Sequence, residues 1–159
     1  MKRPTLILLT VLAALGIAGQ FENARAAVTW SGDIDPANPT TWDSSTYAYV
    51  GKTGVGALDI DGGSHVYVSE ATVGYDPGSV GVVTVNGTGS YWDNFWGSVV
   101  GDYGNGTLNI TGGASVSSEY DLNDRSSDSI GYRTGSTGIV TVDGAGSYWK
   151  SWGTTVGGS

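Results

Sequence analysis

One stretch of fifteen residues is written twice in this chain. Residues 78–92 read GSVGVVTVNGTGSYW and residues 135–149 read GSTGIVTVDGAGSYW, identical at eleven of fifteen positions at an offset of 57. Within the first copy, Val83 and Val85 alternate with Val82 and Thr84 between glycines, the period of a short strand bounded by turns. A repeat this short cannot bury its apolar face alone, so it restricts the chain to architectures built by stacking. Val83, Val85, Val140 and Val142 are assigned inward.

Other units share the grammar. Val50-Gly51, Val73-Gly74, Val100-Gly101, Ile130-Gly131 and Val156-Gly157 open successive segments, with glycine spacings of 23, 27, 30 and 26. The first four lead through glycine into alternating strands carrying Leu58 and Ile60, Val83 and Val85, Leu108 and Ile110, and Val140 and Val142. Residues 49–66 and 99–116 match at nine of eighteen positions, so a two-coil module is duplicated. The sequence predicts coils at 49–72, 73–98, 99–129 and 130–155, with a fifth begun at 156. Residues 117–129, SSEYDLNDRSSDS, read as a loop insertion.

Stacking coils at about 4.8 Å pairs each strand with its equivalents and turns inward Val, Leu and Ile into continuous columns. The 27 glycines supply corners. Residues 27–47, with Trp30, Trp42 and a proline-stiffened turn between them, do not match the repeat and read as an amino-terminal cap. A disordered Gly/Ser linker and a Greek-key sandwich are the alternatives. Disorder does not preserve an alternating repeat, and a sandwich has no reason to space Val-Gly regularly.

Lys2 and Arg3 precede an apolar run over residues 6–18, and Ala24-Arg25-Ala26 follows, the pattern of a signal peptide cleaved after Ala26. This leader is the only predicted helix, and the expected localisation is secreted or cell-surface. The alternative is an uncut anchor, although nothing beyond residue 26 is apolar enough for a stable membrane span. The 133 residues after the leader hold 4 basic against 14 acidic side chains, a net charge of −10. Such a chain repels nucleic-acid phosphates, and no basic run localises an attraction. No cysteine is present, so packing and repetition replace disulfides.

The pattern Val-Gly-x-x-Gly-x-Gly-x-Leu-x-Ile-x-Gly-Gly, followed by Gly-Ser-x-Gly-x-Val-Thr-Val-x-Gly-x-Gly-Ser-x-Trp, resembles the repeat associated with type V secretion (autotransporter) and PEP-CTERM proteins of bacterial cell surfaces. The resemblance covers about 48–159 and is most specific in its second half. It implies an all-β, right-handed parallel β-helix of about four to five coils of roughly 25 residues. It also implies an exported, adhesin-like protein, and no catalytic residues carry over. Members continue for many repeats to a membrane barrel or a Pro-Glu-Pro sorting segment. The chain stops inside a coil opening, so either it is a fragment or another chain covers the edge.

β-Helices also serve enzymes that cut acidic polysaccharides, which need converging carboxylates and a cation. Here Lys52, Arg125, Arg133 and Lys150 are scattered over three units, and His65 is the sole histidine, expected outward. A non-enzymatic structural or adhesive role is therefore expected, with a polysaccharide-binding or polysaccharide-degrading protein as the alternative. No cofactor or metal is expected: Asp121, Asn123, Asp124 and Asp128 lack calcium-loop spacing and read as a solvated acidic loop. Tyr91, Trp92, Trp96, Tyr148, Trp149 and Trp152 recur at matching places and form the candidate glycan-stacking surface. The alternative is that one tryptophan of each set packs inward. Expected partners are cell-surface glycans, or like repeat proteins through the open carboxy-terminal edge.

Overall fold

The computed structural model describes residues 26–118 and 127–158. Residues 1–25 of the predicted leader lie outside them, as do Asp121, Asn123, Asp124 and Arg125. Two short strands, β1 (Ala27–Gly32) and β2 (Ile34–Asp35), precede a 3-10 turn at Pro39–Thr41. The first coil then runs through β3 (Tyr47–Val50), β4 (Val55–Asp61) and β5 (His65–Val68). The second comprises β6 (Glu70–Val73), β7 (Val80–Asn86) and β8 (Tyr91–Asn94). The third comprises β9 (Ser98–Val100), β10 (Asn105–Thr111) and β11 (Ser115–Ser118). The fourth comprises β12 (Asp128–Ile130), β13 (Thr137–Val142) and β14 (Tyr148–Ser151), and β15 (Thr154–Val156) opens the next turn.

Corresponding strands stack into three sheets, ordered β1-β4-β7-β10-β13, β5-β8-β11-β14 and β2-β3-β6-β9-β12-β15. Every coil-to-coil pairing is parallel, while β1 on β4 and β2 on β3 are antiparallel. The chain is thus a parallel β-solenoid of about four turns. The sequence makes one strand per coil legible; the structure adds two shorter ones, whose three or four residues are too few to display a period.

Register makes the core columnar. Leu58, Val83 and Leu108 stack in one column and Ile60, Val85 and Ile110 in the next, all with 0% exposure. Fully burying one such side chain contributes about 1.5–3 kcal/mol. Val140 and Val142 continue these columns on β13. Val140 is partly buried against the core, but Val142 is 46% exposed because no described strand lies beyond β13.

Paired glycines turn the corner between the third and first sheets. Gly74 holds a φ of +77°, a left-handed conformation costly for other residues. A Cβ on Gly81 would fall onto the Val50 carbonyl oxygen and within 2.6 Å of the Gly74 nitrogen. The next corner carries a clip between coils. Ser90 Oγ accepts the Gly63 N–H at 3.0 Å, and Ser147 Oγ accepts that of Gly113 at 2.9 Å.

The amino-terminal end is closed by the two antiparallel strands. Asp33 Oδ2 accepts the N–H groups of Thr53 (2.6 Å) and Gly54 (2.7 Å), and these bonds hold its carboxyl below the usual carboxylate range. Of the two tryptophans expected to cover this end, Trp42 is buried, its Nε1–H donating to the Pro36 carbonyl at 3.0 Å. Trp30 is 39% exposed.

The supposed insertion needs correcting at both ends. Ser117 and Ser118 belong to β11, and Asp128 and Ser129 to β12. Asp128 is not solvated: it faces inward at 0% exposure because it extends the row of Ala48, Ala71 and Ser98.

Candidate functional site

The six aromatic residues expected to form one ladder occupy three environments. Trp92 and Trp149 point inward on the second sheet, Trp92 at 0% exposure and Trp149 partly buried against the core. Full burial removes Trp92 from any stacking surface. Tyr91 and Tyr148 lie in one outward row, but Ser115 of the intervening coil separates them. Two strand spacings put them roughly 10 Å apart. Tyr91 packs instead on His65, with ring centroids 4.8 Å apart, and burial raises its pKa. Trp96 and Trp152 sit at the corner entering the third sheet, 40% and 62% exposed. Trp96 packs edge-on against Phe95 at 5.1 Å.

A longer aromatic ladder lies elsewhere, over the third sheet and its following turns. Tyr49 and Tyr75 meet at 5.1 Å, and Tyr75 and Tyr103 at 6.4 Å, both edge-to-face. A cation stands at each end. Lys52 Nζ lies 4.6 Å from the Tyr49 ring and pairs with Asp35. The Arg133 guanidinium lies 5.2 Å from the Tyr103 ring and 4.5 Å from that of Tyr132, while its Nε–H donates to Asp102 at 3.4 Å. Cation–π contacts at such exposed positions are weak, because water screens the charge.

Tyr132 and Trp96 also line a groove of about 320 Å³ on the same side. Glu70, Val99, Ser127 and Ser129 line it with them. The Glu70 carboxyl is raised above its ordinary value, first by burial and then by the nearby negative charge of Asp102. The groove thus joins two half-exposed rings, serine residues and a half-buried carboxyl group whose pKa is raised. That combination suits a neutral polyhydroxylated ligand, whose C–H faces stack on rings while its hydroxyls exchange hydrogen bonds.

This ladder and groove escaped the sequence reading. Tyr49, Tyr75, Tyr103 and Tyr132 each fall within two residues of a coil-opening glycine. That proximity was the available signal. Tyr49 precedes its glycine on β3 while the other three follow theirs, so no strict period shows.

For catalysis, Glu70 and Asp102 sense one another and Arg133 binds Asp102, which makes two carboxylates and one cation. Among the described residues no group of three or more His, Cys, Asp or Glu side chains is placed to hold a metal. Among them, too, no helix is long and apolar enough to cross a membrane. Fold and face together define a repeat-built parallel β-solenoid with an aromatic outer sheet. Comparison with protein-family models, with curated proteins and with solved structures finds no match.

Proposed function

We propose that this protein is an exported, non-enzymatic β-solenoid of a bacterial surface, structural or adhesive, which holds neutral glycans against its third sheet. The groove lined by Trp96 and Tyr132 carries this reading, because it gathers two exposed rings, serine hydroxyls and a half-buried Glu70 carboxyl in one place. Export rests on the leader pattern at residues 1–26, and the surface role on the resemblance of the repeats to autotransporter and PEP-CTERM proteins. The net charge of −10 after the leader favours neutral over acidic sugars, since like charges repel.

The test is tryptophan fluorescence titrated with neutral and acidic polysaccharides. Neutral chains should quench, and Trp96→Ala and Tyr132→Ala should each weaken binding about tenfold or more, while thermal unfolding stays within a few degrees of wild type. No response to any polysaccharide leaves only the structural role. A polysaccharide-degrading alternative is favoured by the Glu70, Asp102 and Arg133 grouping, and release of reducing ends during the same titration would establish it.

A further inference from the structure

The inward corner between the second and third sheets changes character along the solenoid. One row of this corner runs Val68, Asn94, Ser118, Ser151, the β8–β11 register carrying Asn94 beside Ser118. The row across the corner runs Ala48, Ala71, Ser98, Asp128, Thr154. Both begin apolar and end polar. Asn94, Ser118 and Asp128 have 0% exposure, and Ser98 has 1%.

Their hydrogen bonding is lopsided. Asp128 Oδ1 accepts the Ser98 N–H at 2.7 Å, the Ser98 hydroxyl at 2.6 Å and the Ser118 hydroxyl at 2.9 Å. Its other oxygen, Oδ2, has no partner, and neither do Oδ1 and Nδ2 of Asn94. Neither ion pair found among the described residues involves this carboxylate. An unpaired buried charge is among the most costly features a protein interior can hold, and so is an amide left wholly unbonded.

We propose that this corner is a binding site for a dehydrated monovalent metal cation, sodium or potassium, held by Asp128 Oδ2 and Asn94 Oδ1 with the Ser98 hydroxyl. The donors are all oxygen, which selects a hard cation. The site holds one carboxylate, so a single positive charge neutralises it, whereas a divalent ion would leave net charge in the interior. Ser118 Oγ joins the two rows by its bond to Asp128. Ser151 and Thr154 continue the rows to the exposed end of the stack, their hydroxyls 3.3 Å apart, and supply a polar way in.

The experiment is thermal unfolding of the full-length protein in sodium, potassium or tetramethylammonium chloride at equal concentration. The bulky organic cation screens equally well and cannot enter. Wild type should unfold about 4 °C higher in sodium or potassium chloride, by linkage to a site near saturation. Asp128→Asn keeps the Oδ1 acceptor and removes the charge, so its midpoint should be equal in all three salts. Asn94→Ala should shrink the difference. Equal midpoints for wild type in all salts would mean that buried water alone fills the corner, and would sink the proposal. A cation-specific gain that persists in Asp128→Asn, or an Asp128-dependent preference for calcium at matched ionic strength, would overturn it as well. Should the variants fail to fold, rubidium-soaked wild-type crystals decide the matter: anomalous density beside Asp128 Oδ2 supports the site, and its absence refutes it.

Discussion

Glu70 shows how a single residue on a β-solenoid exchanges stability for a surface property. Burial and the neighbouring Asp102 raise its carboxyl above the ordinary value, so the folded state binds its proton more tightly than the unfolded chain does. Linkage fixes the sign. The penalty is absent below the unfolded pKa, grows as pH rises toward the folded pKa, and is complete above it. Glu70→Gln should therefore raise the unfolding midpoint at pH 7 and leave it unchanged near pH 3.5; an equal gain at both pH values would mean that the charge is not responsible. The glutamate was visible in the sequence, but its setting was not. It depends on Trp96 and Tyr132, which lie 26 and 62 residues downstream and reach the groove only once the coils are stacked.

At the scale of the element, the Gly-Ser-Tyr-Trp ending of the repeated stretch resolves into three tasks. Ser90 and Ser147 clip to the preceding coil, Tyr91 and Tyr148 face outward, and Trp92 and Trp149 fill the core. The clip accounts for the alternation of coil types. A short corner at Gly62-Gly63 or Gly112-Gly113 offers a main-chain N–H, and the longer corner above supplies the hydroxyl that accepts it. Ser90→Ala strands the Gly63 N–H in a half-buried corner and should lower stability by about 1–2 kcal/mol in urea unfolding. A loss within error would show that water replaces the bond. The four long strands were readable because each carries two or more alternating apolar residues. The outer sheets were not, since β8 mixes Tyr91, Trp92, Asp93 and Asn94, and only the fold reveals which of these turn inward.

At the scale of the whole stack, the two ends of the described residues differ. Antiparallel β1 and β2, tied down by Asp33 and Trp42, seal the first coil, whereas β13 has β10 as its only described neighbour in the first sheet. Stability in a stacked repeat follows nearest-neighbour contacts, so it should decline along the axis. Amides of β7, enclosed by β4 and β10, should exchange with deuterium at least tenfold more slowly than those of β13. Uniform protection would show that the stack opens only as one unit. The stacking and this asymmetry follow from repeats that the sequence displays openly. The polar corner does not, because Asp128 reads as loop composition until register places it behind Ser98. The hydroxyl clips join coil one to coil two and coil three to coil four, but among the described residues no such clip crosses from coil two to coil three, where a side-chain bond from Thr111 to Asn86 stands instead. Pulled from its last strand, the chain should therefore come apart in strides of two coils, each releasing about 50 residues or roughly 170 Å of extended length.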